Sequence, residues 1–322
     1  MIKQLCVLII GVVFFISCSK NSDSFIPPVD KVDKEEPLEE ENPIEEDIAL
    51  GENTSVPSFL EGENPNVTVK KWVKVNLLSD EFETTNLDTD KWAILTSSWI
   101  GREPGIFKED AVALANGNLT ITNYKLAEKE IVNGNEYTHA GSLIRSINTA
   151  QPGMYIECRM KASKTFMSST FWLINTRNEG SGCDQRTTEL DIQETVGRIT
   201  DSTPDWAKDH DTGMYSNTHS RNKTCDETKE GSEGAEVEYA TKNWENYHIY
   251  AAWWKSSKEI LFFLDGEYKN TVVPVENFDL PMYLRMVTET YDWSPVPADG
   301  GLTGTKEERT TYYDWVRTWE LQ

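Results

Sequence analysis

Basic residues are scarce in this chain: 31 Lys and Arg stand against 54 Asp and Glu, a formal charge of −23 over 322 residues. So acidic a chain cannot spread the positive field that a phosphate backbone demands, which argues against nucleic acid as a partner. Long apolar runs are scarce too. The one present, Leu5 to Ile16, is too short to span a bilayer as a helix of about 20 residues, so a multi-span membrane protein is excluded. No stretch sustains a helical period between strand-like segments, which argues against a βαβ fold. Internal repeats, Gly-rich phosphate loops and Zn-type pairings of Cys with the 4 His are all missing. Aromatic bulk, by contrast, is plentiful. With 11 Trp, 12 Tyr and 11 Phe, the chain can fill a sizeable core, and global disorder is excluded.

The first residues read as a targeting signal. Lys3 supplies the positive start, Leu5 to Ile16 the apolar segment, and Phe15-Ile16-Ser17-Cys18 sets a cysteine just after positions suited to cleavage. This resembles a bacterial lipobox, the alternative being an ordinary signal peptide that happens to hold a cysteine. On the lipobox reading residues 1–17 are removed, Cys18 is lipidated, and the acyl chains hold the protein on a membrane, at the outer membrane or cell surface, without a spanning helix. Residues 18–68 then form an acidic, disordered tether. Between Asp30 and Asp47 ten acidic residues face only Lys31 and Lys34, with Pro37 and Pro43 breaking any helix. That run carries −8 of the total charge, so much of the acidity belongs to a spacer.

Residues 69–322 read as one all-β domain, a β-sandwich of two antiparallel sheets. Met154-Tyr155-Ile156-Glu157-Cys158-Arg159-Met160-Lys161 alternates apolar and polar with period two, which buries one strand face and wets the other. Asn116-Gly117 and Asp265-Gly266 fall between such runs and predict hairpin turns, since both pairs tolerate positive φ. Cys158 falls on the apolar row of its strand and reads as a buried free thiol. Cys183 and Cys225, both in polar loop sequence, could form a disulfide tying two long loops together in an exported protein.

Chemistry concentrates in Thr188-Glu189-Leu190-Asp191-Ile192-Gln193-Glu194-Thr195. On a regular strand Glu189 and Asp191 share a face while Leu190 and Ile192 enter the core, but Glu194 points away. A β-bulge between Ile192 and Glu194 would reset the alternation and bring all three carboxylates together. Glycosidic hydrolysis explains such a cluster: a retaining mechanism needs an ionised nucleophile and a protonated acid about 5 to 5.5 Å apart. Crowding separates their pKa values, because two ionised neighbours make the third carboxyl keep its proton to higher pH.

Glu189-Leu190-Asp191-Ile192-Gln193-Glu194 resembles the bulged catalytic signature E-x-D-x-x-E of glycoside hydrolase family 16, whose members are retaining, endo-acting enzymes on a jelly-roll β-sandwich with a concave cleft. Asp80-Glu81-Phe82, Met167-Ser168-Ser169-Thr170-Phe171-Trp172-Leu173, Tyr215-Ser216-Asn217-Thr218-His219 and Tyr313-Asp314-Trp315-Val316-Arg317 agree in order along the chain. The resemblance implies Glu189 as nucleophile, Glu194 as general acid and base, and Asp191 as the residue that orients the nucleophile. Trp99-Ile100-Gly101-Arg102 is similar to the subgroup that cleaves red-algal galactans, closest to its porphyranase and agarase branch. It also implies a structural calcium on the convex face, with Asp314 as candidate ligand. The chemistry itself requires no cofactor.

Porphyran carries sulfate esters, and an acidic domain accepts an anionic chain only if guanidinium groups offset the repulsion. Arg102, Arg177 and Arg186 lie near the signature blocks and are the candidates. Sugar rings present flat C–H faces, for which Trp99, Trp172 and Trp293 are the candidate platforms. Trp253, Trp254, Trp315 and Trp319 sit in alternating strand sequence and belong to the core. His219 could hydrogen-bond substrate or the acid–base carboxyl. The expected function is therefore a monomeric, surface-anchored endo-hydrolase of β-1,4-galactosidic linkages in porphyran. The alternatives are a β-agarase, a κ-carrageenase or laminarinase-type β-glucanase, and a glycan-capture lipoprotein that does not cut.

Overall fold

Strands with one apolar face bury it by pairing sheet against sheet, and the computed structural model, which describes residues 49–96, 98–222, 225 and 229–322, has that form. The signal, Cys18 and the acidic run Asp30–Asp47 lie outside the described residues. The chain opens with β1 (Trp72–Lys74), β2 (Trp92–Ile94), β3 (Gly105–Phe107), β4 (Val112–Ala115) and β5 (Asn118–Thr122), then the long hairpin of β6 (Tyr124–Val132) and β7 (Asn135–Ala150). Its middle supplies β8 (Tyr155–Lys161), β9 (Ser168–Ile174), β10 (Thr187–Val196), β11 (Gly213–Arg221) and β12 (Gly231–Glu238). The last third adds β13 (His248–Ser256), β14 (Glu259–Leu264), β15 (Glu267–Val272), β16 (Met282–Thr288) and β17 (Thr310–Leu321). Helix among the described residues is confined to short 3₁₀ turns such as Glu109–Ala111.

One sheet runs β15-β14-β13-β8-β17-β5-β4, with β1 added beside β17. The other runs β12-β11-β10-β9-β16-β7-β2, with β3 and β6 against β7. Among these pairings β3 is parallel to β7, a departure from the purely antiparallel expectation that leaves the sandwich unchanged. Both expected hairpins form. Asn116-Gly117 joins β4 to β5 and Asp265-Gly266 joins β14 to β15, each pair with positive φ. Between the sheets lie Ile156, Cys158, Phe171, Leu173, Leu190, Ile192, Trp254, Phe262, Leu284 and Val316, all at most 1% exposed. Cys158 is a free, buried thiol, and Trp253, Trp254, Trp315 and Trp319 are buried as expected.

Two expectations need correction here. The tether does not extend to residue 68, because the compact unit already includes residues 49–68. Phe59 packs on the outer face of the β13-β8-β17 sheet, 4.7 Å from the Tyr155 ring and 5.4 Å from that of Phe263. Leu60 N–H donates to the Gly266 carbonyl at 3.1 Å, and Arg317 donates to the Gly51 carbonyl at 2.6 Å. Polar composition masked this strap, whose few apolar side chains cap an aromatic cluster that would otherwise face water. Asp314, on β17 of the same sheet, does not head a cation site. Arg159 takes its carboxylate, and Arg317 beside it takes Glu81, so guanidinium groups stand where a calcium ion needs six to eight oxygens. The residues present do not fit that ion.

Candidate active site

The local sequence of β10 builds the site. Asp191 lies opposite Trp172 on β9 and Gln193 opposite Phe171, so Ile192 is the extra residue of a β-bulge. The bulge sits one position earlier than the spacing suggested. Its polar groups are satisfied from β11: Ser216 donates to the Ile192 carbonyl at 2.8 Å. The Gln193 side chain bridges the Gly213 carbonyl and the Tyr215 N–H, both at 2.9 Å. Leu190 and Ile192 go to the core, and Glu189, Asp191 and Glu194 line one hollow of about 350 Å³. Trp99, Arg102, Trp172, Arg177 and His219 line it too.

Each carboxyl has its own surroundings. Arg221 reaches both oxygens of Glu189, at 3.2 and 3.3 Å. Asp191 lies 3.3 Å from His219 Nε2, and burial, then the neighbouring Glu189 charge, push its carboxyl up to about 7 against that partner. Burial, the largest single influence, lowers the His219 pKa, but the bond to Asp191 together with the Asp191 and Glu189 charges outweighs it and the ring is raised above its usual value. His219 therefore serves Asp191 and not the acid–base carboxyl. Glu194 is also raised, by loss of water, although the Tyr291 hydroxyl donates to it and favours its ionised form.

Gly101 makes the Trp99–Arg102 turn. Its φ is +116°, and a Cβ there would lie 2.4 Å from the Gly105 carbonyl oxygen. The turn sets Trp99 edge-on to Trp172, with centroids 6.1 Å apart, and lays the Arg102 guanidinium 5.2 Å from the Tyr291 ring centre. Arg102 Nε is 3.5 Å from Glu289, a carboxyl that burial pushes up to about 8 and whose Oε2 has no hydrogen-bond partner. Arg186 does not reach the site. It is 8% exposed and spent on Asp279 and the carbonyls of Asp184 and Asn277, a structural anchor for its loop. Cys183 and Cys225 are bonded, with Cα atoms 5.1 Å apart, holding that loop near the end of β11.

A second hollow, of about 780 Å³, shares Arg102, Glu189, Glu194, His219, Arg221 and Tyr291 with the first. It continues over β11 and β12 past Trp206, Tyr215 and Trp293. The carboxylates thus stand midway along one groove that crosses the strands. Trp293 stacks on Tyr291 at 4.8 Å and 25°, and Trp206, 63% exposed, leans on Trp293 at 5.2 Å. Sequence reasoning missed Arg221, Glu289, Tyr291 and Trp206. The first three carried a signal, since Asn217, His219 and Arg221 alternate on β11, and Glu289, Tyr291 and Trp293 alternate in the extension just past β16.

This arrangement can protonate a leaving oxygen and offer a carboxylate to a carbon beside it, in a groove shaped for a polymer. Comparison with known proteins agrees. A family model described as β-porphyranase A–D, glycoside hydrolase family 16 domain, matches residues 72–321. β-Porphyranase B of Zobellia galactanivorans is 52% identical over 267 residues, covering 82% of this chain and 90% of that one. β-Porphyranase B of Phocaeicola plebeius is 38% identical over 276 residues, 78% of this chain and 85% of that one. The crystal structure of the Zobellia porphyranase B matches with a TM-score of 0.79 at 51% identity, covering 83% of this chain and 99% of the other. β-Agarase B from that organism shares the fold, with a TM-score of 0.62 at 19% identity over 79% of this chain and 95% of its own. With the bulged carboxylate strand, the groove and these relatives in agreement, the chain belongs to the β-porphyranase A–D group of family 16 and is a glycoside hydrolase.

Proposed function

We propose that the chain cleaves β-1,4-galactosidic linkages within porphyran, retaining anomeric configuration. The observation that carries this reading is the position of Glu189, Asp191 and Glu194 midway along a groove open on both sides. A polymer lying across the strands is cut internally there. Glu194, its pKa raised, gives its proton to the leaving oxygen while Glu189 attacks the anomeric carbon and forms the glycosyl-enzyme. Glu194 then takes a proton from the water that releases the sugar. Asp191, held by His219, orients Glu189, and Arg221 offsets its charge until substrate arrives. Trp99 and Trp172 on one side, and Trp293 and Trp206 on the other, are the stacking surfaces for sugar rings.

Arg102 and Arg177 are the cleft's guanidinium groups for the sulfated chain. Lipidation of Cys18 and a spacer from residue 18 to about residue 48 would hold the enzyme, as a monomer, at the outer membrane or cell surface. The test is reducing-end release from porphyran, agarose, κ-carrageenan and laminarin, run beside Glu189→Gln. Porphyran should be cut fastest. Faster cleavage of agarose makes the protein a β-agarase, and cleavage of laminarin alone refutes the galactan reading.

A further inference from the structure

Two arginines on the groove's sheet have no carboxylate partner among the described residues. Arg285 on β16 lies directly opposite Trp172 on β9, and Arg145 on β7 directly opposite Arg285. Directly opposed residues of antiparallel strands point to the same face. Asp191, Trp172, Arg285 and Arg145 therefore form one row across four adjacent strands, on the face that carries the cleft. At the usual strand spacing Arg285 stands about 10 Å and Arg145 about 14 Å from Asp191, along the direction in which the groove crosses the sheet.

Like charges directly opposed across a sheet destabilise it, and this pair is offset only at a distance, by the cleft carboxylates Glu189 and Glu289 acting on Arg285. Among the described residues neither guanidinium has a salt bridge, and the Nε of each is buried without a hydrogen-bond partner. Their contacts are with aromatic faces. Arg285 lies 4.9 Å from the Trp172 ring centre and 5.8 Å from that of Trp99, and Arg145 lies 4.4 Å from that of Tyr283. Arg177 is close enough to add to the positive field, and burial pulls Arg285 down to about 10, which still leaves it charged at neutral pH. A chain of net charge −23 has put two cations side by side next to the Trp99–Trp172 end of its cleft.

We infer that Arg285 and Arg145, one and two strands beyond Trp172 along the same row, form an anion subsite that binds a sulfate ester of the galactan remote from the scissile bond. The inference rests on the porphyran reading and extends it. Planar forks stacked on aromatic rings keep their N–H edges free for paired hydrogen bonds to sulfate oxygens. Arg145 and Arg285 make this end of the cleft discriminate by charge, where the Trp platform alone would accept any galactan.

The test is the ratio of kcat/KM on porphyran to kcat/KM on the same polysaccharide after desulfation, for the parent and for Arg145→Met and Arg145→Lys. Arg145 is the better target, because Arg285 is packed between two Trp rings. The subsite requires that Arg145→Met lower the ratio about tenfold or more, with Arg145→Lys restoring part of it. An unchanged ratio overturns the subsite, whether both rates hold or both fall together, since a merely structural arginine would affect both polymers alike. If the parent itself prefers the desulfated chain, the porphyran reading fails first and the subsite with it.

Discussion

Glu189, Glu194 and Tyr291 are where single atoms decide the chemistry. Glu189→Gln removes the attacking oxygen but keeps the side-chain shape. Turnover should fall by about 10³-fold or more while oligosaccharide binding persists, as read by reducing-end release and calorimetry. Full activity in that variant would refute the mechanism. Tyr291→Phe has a different signature. The Tyr291 hydroxyl donates to Glu194 and favours its ionised form, so its removal raises the pKa of an acid already raised by burial. Protonated Glu194 is the active species for leaving-group departure, so the alkaline limb of the kcat/KM profile should move to higher pH. A limb that stays put or moves down would show that Glu194 does not set it. The carboxylate triplet was legible in the sequence because its spacing is local. Arg186 was misassigned because closeness in sequence to β10 says nothing about which loop carbonyls and carboxylates it meets.

Strands and loops carry the next level. The strap of residues 49–68 seats Phe59 on the aromatic cluster and gives Ser58 N–H to the buried Glu157, which also accepts from Trp319 Nε1 at 2.7 Å. Burial nevertheless pushes Glu157 up to about 7. The folded state therefore holds a proton that the unfolded chain releases above about pH 4.5, and the contribution of Glu157 to stability falls as pH rises from there to 7. The full shift corresponds to on the order of 3 kcal/mol. Glu157→Gln should gain melting temperature relative to the parent at pH 8 but not at pH 4.5. An equal difference at both pH values would sink this account. The Cys183–Cys225 bond closes a separation of 42 residues around the catalytic strand, and its loss should cost about 2–4 kcal/mol. Thermal melts of the Cys183→Ser/Cys225→Ser double variant check this against the parent. The bulge was predictable as a need, since only an extra residue aligns the triplet. Its position at Ile192 depends on which carbonyl Ser216 can reach.

For the whole molecule, charge sets the approach to substrate. A chain of −23 repels an anionic polymer at long range, while the cleft arginines attract it at contact. Salt screens the first effect more than the second, because the cleft charges are partly buried. Raising NaCl from about 10 to 150 mM should therefore lower KM for porphyran by about two- to fivefold and leave KM for agarose nearly unchanged. A rise in KM for porphyran would mean that attraction, not repulsion, governs encounter. The β-sandwich, its hairpin turns and the catalytic strand were determined by sequence alone, because strand alternation, Asn-Gly turns and the Glu189–Glu194 spacing act over a few residues. The path of the strap, the reach of Arg221 to Glu189 and the row formed by Trp172, Arg285 and Arg145 were decided only in the tertiary structure. Each joins segments far apart in the chain. Their meeting is set by sheet order and register, which depend on how all the strands pack at once and not on any local pattern.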